Sequence, residues 1–111
     1  MLDCVFCKIA AGEIPSKKAY EDDRILAFYD LDPKAPVHVL VIPKRHLGSI
    51  LDPASPEEAE ALFRAVQKVA ALLELEKGFR CVVNTGEDGG QTVGHLHIHL
   101  LGKRKLAWPP G

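Results

Sequence analysis

Three of the five histidines in this chain lie two positions apart, at His95, His97 and His99. Side chains two positions apart in a β-strand project from the same face, so a strand here would place three imidazoles in a row on the open face of a sheet, with the apolar residues between them facing the core. Neutral imidazole is a nucleophile near pH 7 when an acceptor holds one ring nitrogen and leaves the other free. Three histidines can also bind a catalytic zinc ion. The spacing therefore predicts a chemical site and leaves nucleophilic and metal chemistry open.

The segment that precedes these histidines is polar and rich in glycine. Three glycines permit backbone conformations that point several N–H groups at one anion: Gly86, Gly89 and Gly90. Three short neutral donors stand beside them: Asn84, Gln91 and Thr92. Because this loop leads directly into the histidines, an anion held there would lie against His97. The loop therefore predicts a phosphate site next to the candidate nucleophile.

A second candidate cluster begins near the N-terminus. Cys4 and Cys7 form a Cys-x-x-Cys pair, which is typical of redox or metal sites. No thioredoxin-like βαβ pattern surrounds the pair, which favours a metal. Zinc needs two further ligands, and His46 and His95 are the candidates. Such a site would be structural, with a closed tetrahedral shell, and would not activate water. The third cysteine, Cys81, lies in a β-branched run and is predicted to be a small buried apolar residue.

The elements that must position these groups are mostly short strands. Residues 5–11 predict a short helix, and residues 17–30 predict a β-hairpin around an acidic turn. A strand buried on both faces is predicted over residues 37–42, and further strands over residues 79–84 and 94–101. Strands grouped in twos and threes around one long helix predict an α+β fold with an antiparallel sheet.

The long helix is predicted to run from Pro56 to Lys77. Ser55 is the predicted N-cap, Glu58 completes a capping box, and Gly78 is a suitable stop. Seven apolar residues recur at helical spacing: Ala59, Leu62, Phe63, Val66, Val69, Ala70 and Leu73. This stripe is predicted to face the core.

Composition limits the classes of function. The chain has 111 residues, which predicts one domain. Lys and Arg total 14 against 15 Asp and Glu, and a net charge of −1 argues against a surface that binds a nucleic-acid backbone. No apolar run approaches the roughly 20 residues of a membrane span. Three cysteines, with no secretory signal in view, predict a cytoplasmic protein.

Residues 90–101 resemble the His-φ-His-φ-His-φ-φ signature of the histidine-triad (HIT) superfamily, where φ is apolar. Further co-linear segments resemble its Hint branch: residues 6–9, 12–15, 20–23, 27–30, 38–46 and 108–111. The resemblance implies a single HIT domain over residues 1–111, with a five-stranded antiparallel sheet, one long helix and one or two short ones. It also implies a homodimer in which the tail of residues 108–111 lies near the partner's site. Some bacterial relatives carry a structural zinc ion of the type considered above.

The activity implied by the resemblance is that of an adenosine 5′-monophosphoramidase, a hydrolase of purine nucleoside 5′-phosphoramidates. His97 matches the nucleophile that forms a covalent nucleotidyl intermediate, and His99 matches a histidine that contacts the phosphate. His38 matches a histidine that supports the triad through a hydrogen-bond relay. Thr92, where the family often has Ser, would help to protonate the leaving amine. The family often has a bulky residue at Gly94, so the preference for a leaving group stays open.

The nucleotide-binding residues are also implied by the resemblance. Asp30 matches the carboxylate on the ribose hydroxyls, with Leu31 beside it. The phosphate loop is matched by Asn84, Gly90, Gln91 and Thr92, together with His97 and His99. No metal is required for this chemistry. Three alternatives remain: a dinucleoside polyphosphate hydrolase of the same family, a metal-dependent hydrolase that uses the three histidines as ligands, and a nucleotide-binding module with little turnover.

Overall fold

A five-stranded antiparallel sheet with one helix on each face forms the framework of the protein. The computed structural model describes residues 3–111, so the first two residues of the predicted domain over residues 1–111 lie outside it. The elements are α1 (Val5–Ala10), β1 (Lys18–Glu21), β2 (Ile25–Tyr29), β3 (Val37–Pro43), α2 (Pro56–Leu72), β4 (Phe79–Val82) and β5 (Ile98–Gly102). The strand order is β1-β2-β3-β5-β4, with β4 at one edge. The predicted α+β class, antiparallel sheet and hairpin are confirmed.

Two core layers hold the helices to the sheet. The layer under α2 contains alternate residues of the central strands, among them Ile25, Ala27, Val39 and Val41. The layer under α1 contains the residues between them: Leu26, Phe28, Leu40 and Ile42, with Cys4 and Phe6. Burial on both faces explains why β3 is almost continuously apolar, as the sequence predicts. Within the described residues, no helix is long and apolar enough to cross a membrane.

Helix α2 starts where the sequence predicts and ends earlier. The Ser55 hydroxyl accepts from the Glu58 amide at 3.0 Å, and the Glu58 carboxylate accepts from the Ser55 amide at 2.9 Å. The helix stops at Leu72 because the chain turns at Glu74, where φ is +56°, and returns to the core. Leu75 is only 3% exposed there and packs against Gly102 of β5. The predicted extension to Lys77 was therefore wrong.

The buried stripe of α2 is narrower than the sequence predicts. Leu62 and Val69 are buried, together with Ala65, which the predicted stripe omitted. Phe63 is 73% exposed and Ala59 is also exposed. The helix lies mainly over β1, β2 and β3, so only a limited arc of its surface meets the sheet. Both residues were wrongly placed in the core by helical periodicity alone.

Two strand boundaries and one cysteine also differ from prediction. Strand β4 ends at Val82, and β5 begins at Ile98 instead of residue 94. The strand cannot start earlier because the Leu96 amide donates to the Leu47 carbonyl at 2.6 Å, in the turn after β3. Cys81 is exposed, not buried, because it lies on the edge strand, beyond the main contacts of α2.

Candidate active site

The three histidines occupy one side of the sheet, although two of them precede the strand. His99 pairs with Leu40, a residue of the layer under α1, whereas Leu96 and Leu100 lie in the layer under α2. The predicted separation of the two faces is therefore correct. The predicted open face is not, because His95 is fully buried and His97 is 6% exposed under α1.

His97 has the tautomer that a nucleophile needs. Its Nδ1 lies 2.7 Å from the carbonyl oxygen of His95. A carbonyl oxygen can only accept, so Nδ1 carries the ring proton and Nε2 keeps a free lone pair. The Phe6 ring of α1 packs edge-on against the His97 ring at 5.2 Å and 90°. The protein thus fixes both the proton and the orientation of this imidazole.

A hydrogen-bond relay sets the tautomer of His99. The Lys34 amide donates to Nδ1 of His38 at 3.0 Å, so the proton of neutral His38 lies on Nε2. That nitrogen is 2.9 Å from Nδ1 of His99, which accepts the proton's hydrogen bond. The remaining proton of His99 therefore lies on Nε2, where it is a donor beside the His97 ring, 4.9 Å away between ring centroids.

Burial keeps this relay neutral. Desolvation lowers the pKa of His38 below its ordinary value of 6.5, and Asp30, whose carboxylate lies 3.6 Å from Nε2, only partly offsets this. Desolvation also lowers the pKa of His99, and the neighbouring imidazoles of His97 and His38 lower it further. Both rings are thus uncharged near neutral pH, as the assigned tautomers require.

Two clefts meet at Asp30. One, of about 320 Å³, is lined by the relay histidines and by Asn84 and Lys34. The other, of about 250 Å³, is mostly apolar and includes Phe6, Ile9, Phe28, Leu31 and Leu40. A carboxylate between an apolar cleft and a histidine-lined cleft matches the order of base, ribose and phosphate in a nucleotide. Leu31 lies in the apolar cleft with its side chain fully exposed.

The apolar cleft was not predicted from the sequence. It joins α1 to β2, β3 and the turn after β2, segments separated along the chain. A faint signal exists in Phe6 and Ile9, which are spaced to share one face of a short helix. That signal resembles ordinary core packing, so only the fold reveals a cleft.

The glycine loop differs from a free anion nest. Three of its N–H groups are used inside the loop: the Gly86 amide on Gln91 Oε1, the Gly90 amide on the Glu87 carbonyl, and the Gln91 amide on the Gly86 carbonyl. Gly89 is required for close packing, since a Cβ there would lie 2.4 Å from the Thr85 carbonyl oxygen. The predicted convergence of amides from this whole loop is therefore wrong for these three groups.

The side chain of Gln91 is also occupied. Its Nε2 donates to the carbonyls of Gly48 at 2.7 Å and Val93 at 2.9 Å. Its interpretation as a free phosphate donor was therefore wrong, because both amide protons already have partners. Thr92 is exposed and lines a separate cleft of about 350 Å³ with His46 and Gly94, not the cleft that holds Asn84 and His99. A role for Thr92 in proton transfer stays a prediction.

The four predicted metal ligands come together. Cys4 Sγ lies 3.3 Å from His95 Nδ1, and Cys7 Sγ lies 3.3 Å from His46 Nδ1 and 3.6 Å from His95 Nδ1. Tetrahedral zinc with ordinary Zn–S and Zn–N bonds separates sulfur and nitrogen ligands by about 3.6 Å. The Nε2 of His95 donates to the Pro43 carbonyl at 2.8 Å, which leaves Nδ1 unprotonated, as a ligand must be. The donor set and spacing fit a structural zinc ion.

The alternative of a three-histidine metal site does not fit. Among the described residues, the groups that could hold a metal do not unite His95, His97 and His99. A second such group is formed by Asp30, His38 and His99. Its geometry serves the relay instead, because Nε2 of His38 is protonated while Nδ1 accepts from the Lys34 amide. A protonated nitrogen is not a metal ligand.

Comparison with known proteins agrees with the resemblance. Residues 11–106 match the HIT domain. The chain belongs to the HIT family. A HIT-like protein from Synechococcus elongatus is 52% identical over 111 residues, covering 98% of this chain and 97% of the relative. The structure of a HIT family hydrolase from Legionella pneumophila superposes with a TM-score of 0.94 at 46% identity, covering 98% of this chain and all of that one.

One further relative bears on the metal cluster. A protein from Brassica juncea described as a 14 kDa zinc-binding protein is 46% identical over 113 residues, covering 98% of this chain and 100% of the relative. In this HIT protein, the cluster of Cys4, Cys7, His46 and His95 has the composition of a metal site.

Proposed function

We propose that this HIT protein hydrolyses purine nucleoside 5′-phosphoramidates, of the adenosine 5′-monophosphoramidate type, through a nucleotidyl intermediate on His97. The observation that carries the proposal is the pair of opposite tautomers. His97 directs a bare Nε2 and His99 a protonated Nε2 on the same side of the sheet. One nitrogen can attack a phosphorus atom while the other donates to a phosphoryl oxygen. The Legionella relative, described as a hydrolase, supports a hydrolytic reaction.

The reaction has two displacements. In the first, the lone pair of His97 Nε2 forms a bond to the α-phosphorus and the P–N bond breaks. The departing nitrogen keeps the electron pair and takes a proton, for which we propose the Thr92 hydroxyl as relay from water. In the second, water attacks the same phosphorus and loses a proton to solvent, the bond from phosphorus to His97 Nε2 breaks with its electron pair returning to Nε2, and the nucleoside monophosphate leaves. Two easier steps replace one hard step, and His97 is restored.

The remaining predicted residues bind the nucleotide in this scheme. Asp30 accepts from the ribose hydroxyls, with Leu31 and the apolar cleft on the base. His99 and Asn84 contact the phosphate, and donors that become effective as charge develops there stabilise the transition state. Thr92 contributes its hydroxyl, whereas the amides of Gly90 and Gln91 shape the loop through their bonds to the carbonyls of Glu87 and Gly86. The position of Asp30 between an apolar cleft and a histidine-lined cleft supports this arrangement.

We also propose that the cysteine–histidine cluster holds a structural zinc ion. Zinc, when bound, supplies a closed tetrahedral link and no activated water. The cluster residues join α1, the turn after β3 and the segment before β5. A protein of this size gains from such a link because its core is small.

The decisive experiment is AMP release from adenosine 5′-monophosphoramidate, with the intact protein mass followed during turnover. We expect His97→Ala and His97→Asn to lose about 1,000-fold or more in kcat/KM. His97→Asn should still bind AMP in calorimetry, which shows that its site is folded. A transient wild-type adduct of one nucleotidyl group would identify the covalent step.

Other results would redirect the assignment. Full activity in His97→Ala that is lost on addition of a chelator would reject His97 as the nucleophile and favour a metal-dependent hydrolase. Cleavage of dinucleoside polyphosphates without cleavage of phosphoramidates would change the leaving group. Tight AMP binding with no turnover of either substrate would indicate a binding module.

A further inference from the structure

We infer that the metal cluster is a positioning device for the nucleophile, because occupancy of the cluster holds His95 and thereby fixes the tautomer and orientation of His97. The catalytic consequence rests on the proposed function, whereas the geometric part does not. His95 belongs to both sites. Its Nδ1 lies 3.3 Å from Cys4 Sγ, and its main-chain carbonyl oxygen accepts a hydrogen bond from His97 Nδ1 at 2.7 Å.

The ring of His95 is held at both ends. Nδ1 faces the cysteine thiols, and Nε2 donates to the Pro43 carbonyl at 2.8 Å. The residue is fully buried, so its side chain has little freedom to reorient. A ring fixed in this way restricts the backbone that carries it, including the carbonyl oxygen two residues before the nucleophile.

A second connection runs through α1. The Cys4 sulfur accepts from the Cys7 amide at 3.4 Å and caps this helix, so both cysteine ligands belong to its first turn. Between them lies Phe6, whose ring packs edge-on against His97 at 5.2 Å and against His95 at 5.9 Å. A link that anchors the first turn therefore also anchors one wall of the nucleophile's pocket.

Residues 91–97, which carry His95 and His97, need anchors of this kind because they lie outside the hydrogen-bonded strands of the sheet. The turn after β3 holds the segment by the Leu47 carbonyl, which accepts from Leu96, and by the Gly48 carbonyl, which accepts from Gln91. The same turn carries the ligand His46. Thiol–imidazole hydrogen bonds are weak in comparison with metal–ligand bonds, so the metal-free cluster would hold α1 and His95 less firmly.

The test uses Cys7→Ser, which removes a ligand without altering His95, Phe6 or His97. Val69→Ala is the matched control, since it removes buried volume in α2, away from the cluster. Zinc content, thermal unfolding, kcat and KM are measured for both variants and for the wild type. The 15N shifts of the imidazole nitrogens report the tautomer of His97 independently of activity.

We expect one zinc per wild-type chain and a single Nδ1–H tautomer for His97. In Cys7→Ser we expect zinc loss, a mixture of His97 tautomers and a fall in kcat of about 10- to 100-fold. KM should change less, because Asp30 and the walls that β2 and β3 give to the apolar cleft carry no cluster ligand. Val69→Ala should lose thermal stability but keep the tautomer and kcat. Zinc added to chelator-treated wild type should restore the single His97 tautomer and kcat.

Several results would overturn the inference. The first is a wild type that binds no metal, and the second is a Cys7→Ser variant with an unchanged His97 tautomer and kcat. The third is loss of the whole fold both in Cys7→Ser and in chelator-treated wild type. The last result would make the cluster a general folding element. A wild type without phosphoramidase activity whose His97 tautomer still depends on zinc would instead count against the proposed function and leave the positioning role in place.

Discussion

The histidines of this site differ in which ring nitrogen carries the proton, and the hydrogen-bond partner of each ring decides this. His95 donates to a carbonyl and offers Nδ1 to the thiols, whereas His97 donates from Nδ1 and keeps Nε2 free. His38 accepts from a main-chain amide through Nδ1 and donates from Nε2 to His99. Four chemically identical side chains thus become a candidate metal ligand, the proposed nucleophile and two members of a relay.

The relay predicts how activity depends on pH. Protonation of His38 or His99 would put a proton on a nitrogen that now accepts a hydrogen bond, so the active form is neutral. Burial lowers the pKa of both, while Asp30 opposes the shift for both and Asp32 for His38; Lys34 adds to the lowering for His38. We therefore expect the acid limb of the kcat profile below pH 6.5, with activity falling as pH decreases through the lowered pKa.

The control for this profile is Asp30→Asn. Removing that carboxylate removes an interaction that raises the pKa of both histidines, so the acid limb of kcat should move to lower pH. KM should rise separately if Asp30 binds ribose. An acid limb centred above pH 6.5, or one that moves upward in Asp30→Asn, would contradict the neutral relay.

At the scale of elements, Glu58 joins the start of α2 to the turn that carries His46, a residue of the proposed metal cluster. Its carboxylate accepts from two guanidinium nitrogens of Arg45, each at 2.7 Å, and also from the amide of Ser55. These contacts hold the pKa of Glu58 down to about 2, with the Arg45 hydrogen bonds as the main cause. The stabilisation is fully present above about pH 4.5 and is lost as pH falls toward about 2.

We expect Glu58→Ala to lower the free energy of unfolding by about 1–2 kcal/mol at pH 7, as for loss of a helix cap. Glu57→Ala is the control, since Glu57 is exposed in the same turn. Urea unfolding with an unchanged m-value measures the difference. The difference between Glu58→Ala and wild type should shrink at low pH. Equal effects of the two substitutions would show that helix charge, not the Arg45 contact, is responsible.

The same helix shows how far local sequence determines structure. Its start was predictable because the capping box involves only neighbouring residues. The end of the helix was not predictable, because the chain turns after Leu72 so that Leu75 is buried against β5, which is remote in sequence. Likewise, alternation correctly separated Leu96 and Leu100 from the histidines, but the strand boundary depended on Leu47. The four side chains of the cysteine–histidine cluster were predictable from residue type, whereas the main-chain partners of His38 and His97 and the occupied amide of Gln91 required the fold.

At the scale of the whole molecule, one end of the sheet is left uncovered. Helix α2 lies mainly over β1, β2 and β3, while β4 forms the edge. Cys81 pairs with Leu100 and Phe79 with Gly102, so both side chains project from the α2 face of the sheet. Phe79 is 41% exposed and Cys81 is also exposed. An exposed apolar edge strand of this kind is a suitable surface for binding another chain, since edge strands pair readily with other chains.

We propose that a second copy of the chain covers this edge, as the family resemblance implies, and that the exposed Trp108 then approaches the partner's site. Cys81→Glu should give a monomer in light scattering after size exclusion, because the proposed interface would then cover an unpaired carboxylate on each copy. Cys81→Ser, which adds no charge, should remain a dimer. If the tail contributes to the partner's site, the monomer should keep its His97 tautomer but change its preference between leaving groups. A wild-type monomer, or a dimer that Cys81→Glu leaves intact, would assign the exposed edge another role.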